Sequence, residues 1–407
     1  MKQRPDSEIQ IQQVRFTLPH RWRIANRNHR SVQAEGVRRS ARYSLINHRQ
    51  GGMIAVMVGL ALFFSIQICT GVAIRAEWSP LRDPLYFDRL ALLKKYPAFR
   101  PGPNPLPDKP VTVLFIGTSR TLHGVDAKAA ATYLTGLVGR PVEVFNFGQA
   151  GAGPVTTAVY LRRLMQDGVK PDVVLVEVHP VYLAGQRPDA PETRWLLPFR
   201  LRPDELSIAC EMGFPAPRPV THGKRGLYAP LYDYRFLILD RYMPYLLMTD
   251  HRLNGGHEPD AYGFARLNEE VTPDVRAALL ARVSPYHADY FPGYRPTGPG
   301  TIATRATLDQ CRTAGWPAAL VLMPESSEIL GSYPSEGLRE LDGLLANWSA
   351  EYRVPLFDAR RWVPDPLIED GHHLAGLGAD LLTERLSREA LAPWITRILG
   401  TQTRPAP

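Results

Sequence analysis

Apolar residues fall along this chain in short blocks and one long one. Five short runs, Val111–Ile116, Val142–Phe147, Val173–Val178, Ala318–Met323 and Val354–Phe357, are rich in β-branched residues and carry few polar ones. Such a run, without strict alternation, marks a strand buried on both faces, as in a parallel sheet. Segments with helical spacing lie between them, at 126–138, 154–168, 302–314, 335–352 and 376–391. Strand and helix in alternation predict an α/β fold with a doubly wound, five-stranded, mainly parallel sheet. One long interruption, 184–300, separates the third strand from the fourth.

The long block is of another kind. No charge occurs between Arg49 and Arg75. The 24 residues of 51–74 would make about 36 Å of helix, enough to cross a bilayer with some tilt. A buried core helix rarely runs so long without a charge. A cleaved signal peptide would have a shorter apolar region closer to the start of the chain. Arg38-Arg39 resembles the start of a twin-arginine signal, but stands at a poor distance from the apolar run.

Charge changes this picture in one respect. The 407 residues carry a net charge of +8, and residues 1–50 hold eleven Lys or Arg against three acids. The rest of the chain is balanced, so a basic groove for nucleic acid is not expected. The positive-inside rule places the tail in the cytoplasm and everything past the span outside it. The expected organisation is a basic cytoplasmic tail (1–50), a transmembrane helix (51–74), a Pro-rich linker (75–109) and a split α/β domain (110–183 and 301–395). An insertion or lid (184–300) interrupts that domain, and a disordered tail (396–407) ends the chain. The expected location is the cell inner membrane, single-pass, with the C-terminal domain periplasmic or extracellular. Hydrophobic residues at 44% and charged ones at 22% exclude wholesale disorder and a multi-span protein. Three cysteines are too few for a disulfide framework, though Cys210 and Cys311 could pair in an oxidising compartment.

In a doubly wound sheet, ligands bind beyond the carboxyl ends of the strands. Ser119 follows the first strand and the glycine-rich run Asn146–Gly153 the second. Glu177-Val178-His179-Pro180 follows the third, Pro324-Glu325-Ser326-Ser327-Glu328 the fourth, and Asp370-Gly371-His372-His373 precedes the last helix. A serine, backbone donors in a glycine loop and an Asp/His pair are the inventory of nucleophilic acyl chemistry. Each has a plainer alternative. Ser119 could only start a helix, Asp370 and His373 could only cap one, and His179-Pro180 could only turn the chain. His372 competes with His373 for the base. Arg120, His123 and Asn146 flank the site as candidates for substrate binding. A metal site from His123, His179, His372 and His373 lacks a spacing signature, so neither metal nor cofactor is expected.

These residues resemble the SGNH (GDSL-like) hydrolase superfamily at three places. Gly117-Thr118-Ser119 is similar to the block that carries the nucleophile. Asn146-x-Gly-x-x-Gly151 is similar to the block whose glycine donates an N–H to the oxyanion. Asp370-x-x-His373 matches the block that completes the triad. The resemblance covers roughly 110–180 and 315–392. With the membrane span it looks most like the branch related to bacterial polysaccharide O-acetylation and teichoic-acid D-alanylation proteins. It implies Ser119, Asp370 and His373 as catalytic residues, and Ser119, Gly151 and His179 around the oxyanion. His179 enters because no Asn, the family's usual donor, follows the third strand.

The implied function is a serine esterase or O-acyltransferase acting outside the cytoplasm on an acylated glycan or cell-envelope polysaccharide. Expected partners are the membrane, the glycan and a multi-span membrane acyltransferase. The alternative is a catalytically weak binding or assembly subunit of the same fold. The insertion concentrates aromatic residues, nine Tyr and three Phe between Tyr228 and Tyr294. They suit either stacking on sugars or a satellite core.

Overall fold

The computed structural model describes residues 33–76, 83–100, 109–185, 200–214, 230–248 and 256–402, together with Glu192, Leu196 and Arg252. Most of the basic tail lies outside these residues. The chain divides into two units, Met1–Ile66 and Gln67–Pro407. The first is described by helix α1 (Gln33–Arg75), which continues into the second. Within α1, Gln50–Ala73 is long and apolar enough to cross a membrane, with mean hydropathy 2.2 and 6% of its most apolar window buried.

The second unit is built on a sheet of β1 (Val111–Ile116), β2 (Val142–Asn146), β3 (Val173–Val178), β4 (Ala318–Leu322) and β5 (Leu356–Asp358). All four pairings are parallel, and the order is β2-β1-β3-β4-β5. In chain order the helices are α2 (Pro84–Leu93), α3 (Ser119–Gly124), α4 (Ala127–Val138), α5 (Pro154–Gln166), α6 (Pro203–Glu211), α7 (Pro230–Tyr242) and α8 (Pro273–Ala288). After these come α9 (Pro299–Ala314), α10 (Ser327–Leu330), α11 (Ser335–Tyr352), α12 (Gly376–Arg385) and α13 (Ala392–Gln402). A π-helical stretch, Leu386–Leu391, joins the last two.

The period of two along each strand sorts side chains into two cores. Leu114, Ile116, Val174, Val176, Leu320 and Leu322 face α5, α9 and α11. Val113, Phe115, Val173, Leu175, Ala319 and Val321 face α4, α12 and α13. Because helices cover both faces, the strands read as continuous apolar runs.

Four expectations need correction. The linker is part of the folded unit: its amphipathic piece, 86–96, overlaps α2, whose Tyr86, Leu90 and Leu93 are buried in the first core. Its Arg89 donates to the carbonyls of Asn146 (2.9 Å) and Gly263 (2.6 Å), which secures the end of β2. The disordered tail begins too early, because α13 runs to Gln402 with Trp394 and Ile395 buried. The insertion is less irregular than its sequence suggests, since it contains α6, α7 and α8. Its aromatics also divide: Phe291 and Tyr294 pack on Tyr333 in the core, whereas Tyr232, Tyr242 and Tyr245 are exposed. Finally, Cys210 and Cys311 are both free thiols, and burial pushes that of Cys311 up to about 12.

Candidate active site

The strand order creates a switch point. The chain steps from β1 outward to β2, then back across β1 to β3, so the connections leave the sheet in opposite directions. The crevice between the carboxyl ends of β1 and β3 is where such sheets bind ligands. Ser119 lies there as the first residue of α3. Thr118 precedes it as the helix cap, its hydroxyl accepting the Arg120 N–H at 3.0 Å.

This turn is held from across the switch point by Glu177, near the end of β3. Its carboxylate accepts from Thr118 N (2.7 Å), Thr118 Oγ1 (2.9 Å) and Thr121 Oγ1 (2.6 Å). The approach is so close that a Cβ on Gly117 would sit 2.4 Å from Glu177 Oε2. That is the physical reason for glycine two residues before the serine. The sequence places Glu177 at the carboxyl end of the third strand but assigns it no role. Its signal was an acid inside an otherwise apolar, doubly buried strand, where a charge has to be paired.

The other half of the site is the turn Asp370–His373. Gly371 takes φ +97, a conformation open to glycine. The turn is closed by Glu369 N donating to His373 O at 2.8 Å. Asp370 Oδ1 accepts the N–H groups of His372 (3.2 Å) and His373 (2.9 Å), while Oδ2 meets His373 Nδ1 at 2.7 Å. On the far side of the ring, His373 Nε2 lies 2.7 Å from Ser119 Oγ. Residues 254 positions apart thus form one hydrogen-bonded chain.

The electrostatics agree with that chain. Burial alone would raise the Asp370 carboxyl, but the neighbouring imidazoles His372 and His373 and the hydrogen bond hold it well below the usual range. Burial alone would lower His373, but Asp370's charge and hydrogen bond outweigh it and raise the imidazole. An ionised Asp370 only accepts, so Nδ1 carries the proton and Nε2 is left to receive the serine hydroxyl's. His372 meets Asp370 more loosely, Nδ1 to Oδ1 at 3.6 Å, and its ring lies beside that of His373 at 4.2 Å.

The three side chains expected to bind substrate turn inward. Arg120 is fully buried and donates to Glu325 Oε1 (3.2 Å) and to the carbonyls of Met323 (2.6 Å) and Pro324 (2.9 Å). It ties the nucleophile's helix to the end of β4. His123 points its Nδ1 at Ala265 O (2.6 Å), and burial lowers its pKa to about 3, so it stays neutral. Asn146 donates to Thr121 O (2.7 Å) and Val125 O (2.8 Å) and accepts from Gly148 N. Its amide closes the C-terminal end of α3. All three are engaged with protein partners: Arg120 and His123 from α3, and Asn146 from the end of β2.

His179 caps the end of β3. It is buried, with Nε2 4.0 Å from Glu325 Oε1 and its ring 5.0 Å from Tyr182 and 6.0 Å from His372. Gly151 lies in the loop between β2 and α5 with φ +67. The insertion reaches the site as well. Ala265 N donates to Leu122 O, and Glu192 caps α5 by accepting from Gly153 N (3.1 Å) and Thr156 N (2.6 Å). Asp370, His372 and His373 offer ligand atoms within 4.8 Å of one another, a set that could hold a cation. Oδ2 and Nδ1 are already committed to each other, so a cation bound through them would break the Ser119–His373–Asp370 chain.

No protein-family model matches the sequence, and no curated protein matches it either. Among solved structures, it is similar to a carbohydrate acetylesterase family member from Sinorhizobium meliloti, at TM-score 0.32 and 13% identity over 71% of this chain and 99% of that one. A putative lipolytic protein of the G-D-S-L family from Desulfitobacterium hafniense DCB-2 follows at TM-score 0.30 and 12% identity, covering 68% and 98%. An inhibitor-bound aryl esterase from M. smegmatis stands at TM-score 0.30 and 13% identity, covering 69% and 98%.

Proposed function

We propose that this chain is a membrane-anchored serine esterase or O-acyltransferase of SGNH type. It works outside the cytoplasm on an acylated glycan or cell-envelope polysaccharide. The observation that carries this reading is the relay Ser119 Oγ to His373 Nε2 to Asp370, each step 2.7 Å, at the switch point of the sheet. In the first step Ser119 Oγ attacks the ester carbonyl while its proton passes to His373 Nε2. Asp370 fixes the tautomer and balances the imidazolium that forms. The oxyanion is taken by the Ser119 N–H, a first-turn amide that a helix leaves without an intrahelical partner, and by Gly151 N–H and His179. His373 then protonates the leaving alcohol. Water resolves the acyl-enzyme in hydrolysis, or a sugar hydroxyl in transfer.

Substrate class and location are supported by the three sequence blocks and by an apolar span with a basic tail before it. A multi-span membrane acyltransferase would be the partner supplying or receiving the acyl group. The binding-subunit alternative rests on the absent Asn after β3, whereas the assembled relay favours the enzyme. A serine-reactive phosphonate should label Ser119, and the protein should turn over a chromogenic ester of a short acid. Ser119→Ala and His373→Ala should each abolish both, because such residues act as a unit. A wild-type protein that is not labelled and does not turn over, yet binds glycan, would replace the enzyme reading with the subunit reading.

A further inference from the structure

The stretch Pro230–Met248 has an exposure pattern that its own packing does not account for. Tyr232, Tyr242, Tyr245, Leu246 and Met248 are 53–75% exposed, and Met243 is 37% exposed. These six large apolar residues fall within nineteen positions. After Arg241 the chain runs uncharged through Met248, with a single turn of 3-10 helix at Pro244–Leu246. A contiguous apolar patch on a soluble surface marks something that covers it.

The other end of the same stretch says what. α7 begins at Pro230, and its Leu231 N–H donates to Gln67 Oε1 at 3.1 Å. Tyr234 and Leu237 pack with Ala73, and Pro230 lies beside Gly71. Gln67, Gly71 and Ala73 belong to the apolar stretch Gln50–Ala73, in which Gln67 stands about 9 Å from the end at 1.5 Å per residue. Gln67 is also the buried polar residue of that stretch, at 7% exposure. In a lipid environment a side-chain amide and a first-turn helix N–H both need partners, because water is scarce there. Here each supplies the other. The start of α7 therefore meets the span about 9 Å before its end at Ala73.

We infer that Pro230–Met248 docks on the outer surface of the bilayer that α1 crosses, with Tyr242, Tyr245, Leu246 and Met248 inserted among the lipid headgroups and upper acyl chains. Tyrosine has an apolar ring and a polar tip, which is what the membrane interface selects. The aliphatic and thioether side chains bring apolar area that lipid removes from water. This inference rests on the membrane-anchored reading of the chain. It adds a second, monotopic membrane contact to the span.

The test uses the full-length protein in phospholipid vesicles and a hydrophobic diazirine that partitions into the bilayer. After photolysis, proteolysis and mass spectrometry should find label in peptides of the span and in Tyr242–Met248, but not in the surface of α11. Replacing Tyr245, Leu246 and Met248 together with Ser should reduce label in that peptide to the α11 level. Label in the span should not change, and because the three side chains are exposed the fold should survive. Tyr245→Ser alone should give a partial loss. A labelled span with Tyr242–Met248 at background would overturn the docking while leaving the anchor in place. An unlabelled span would refute the anchor and the docking together. Disulfide-linked dimers of a Tyr245→Cys variant, with the patch unlabelled, would assign the patch to a second copy instead and also overturn the inference.

Discussion

Replacing Glu177 with Gln probes how the nucleophile is held without touching it. The Glu177 carboxylate accepts three hydrogen bonds from the Thr118–Thr121 turn and lies 4.0 Å from Arg120 Nε. Glutamine keeps one accepting oxygen. If that oxygen takes Thr118 N–H and Thr121 Oγ1, the new amide NH2 faces Thr118 Oγ1, which already accepts from Arg120 N. The Thr118 hydroxyl then loses its acceptor. Hydrogen bonds to a charged group contribute about 1.5–3 kcal/mol each, so losing this one of three predicts a stability loss of about 2 kcal/mol. Arg120 keeps Glu325 and two carbonyls, so no guanidinium is left bare. A turn that relaxes by about 1 Å should also cost about 10²-fold in reaction at Ser119, with KM little changed. Denaturant unfolding measures the first effect, and the second-order rate of phosphonate labelling the second. Glu177→Asp keeps the charge but not the reach, and should recover neither fully. An unchanged unfolding midpoint together with a labelling rate within about threefold of wild type would refute the positioning role, against the expected 10²-fold.

His179→Ala should lower turnover by about 10²-fold without weakening substrate binding if the imidazole serves the oxyanion; an unchanged rate would leave it a turn residue. The rate should rise with pH as His373 loses its proton, with the midpoint above the ordinary 6.5 because Asp370 raises it. Asp370→Asn should move that limb to lower pH and cut kcat by about 10⁴-fold. The same shift favours the folded state: while Asp370 is ionised, the raised His373 contributes fully below pH 6.5 and loses its effect as pH rises through the raised value, measurable as Tm against pH. A topology reporter fused after Pro407 should be active on the non-cytoplasmic side alone, and activity in the cytoplasm would overturn the orientation.

Much of the fold was legible because burial on both faces of a parallel sheet leaves an unbroken mark. Val111–Ile116 and Val173–Val178 stand in the structure at the limits their apolar runs set. The last strand shifted to Leu356–Asp358, since Pro355 has no N–H for the ladder and contributes only its carbonyl, to Leu320. The site was legible at Ser119, Asp370 and His373 because the ends of strands and a one-turn spacing are local properties of the chain. The one-turn spacing of Asp370 and His373 favours His373 without deciding against His372. That choice required the 2.7 Å contact with a serine 254 residues away.

What the sequence determined by itself is therefore what neighbouring residues encode: an uncharged span preceded by basic residues, the strand and helix alternation, and the turns that carry reactive side chains. The tertiary structure alone decided which of those side chains face the crevice and which are spent on holding it. Arg120, His123 and Asn146 share the site's sequence neighbourhood, yet each is turned to a backbone carbonyl. Glu177 and α2 carried no family signature and turned out to fix the nucleophile's turn and the end of β2. The physical reason is common to all of them. A buried polar group must find a partner wherever the fold brings one, and such partners come from segments far apart in the chain.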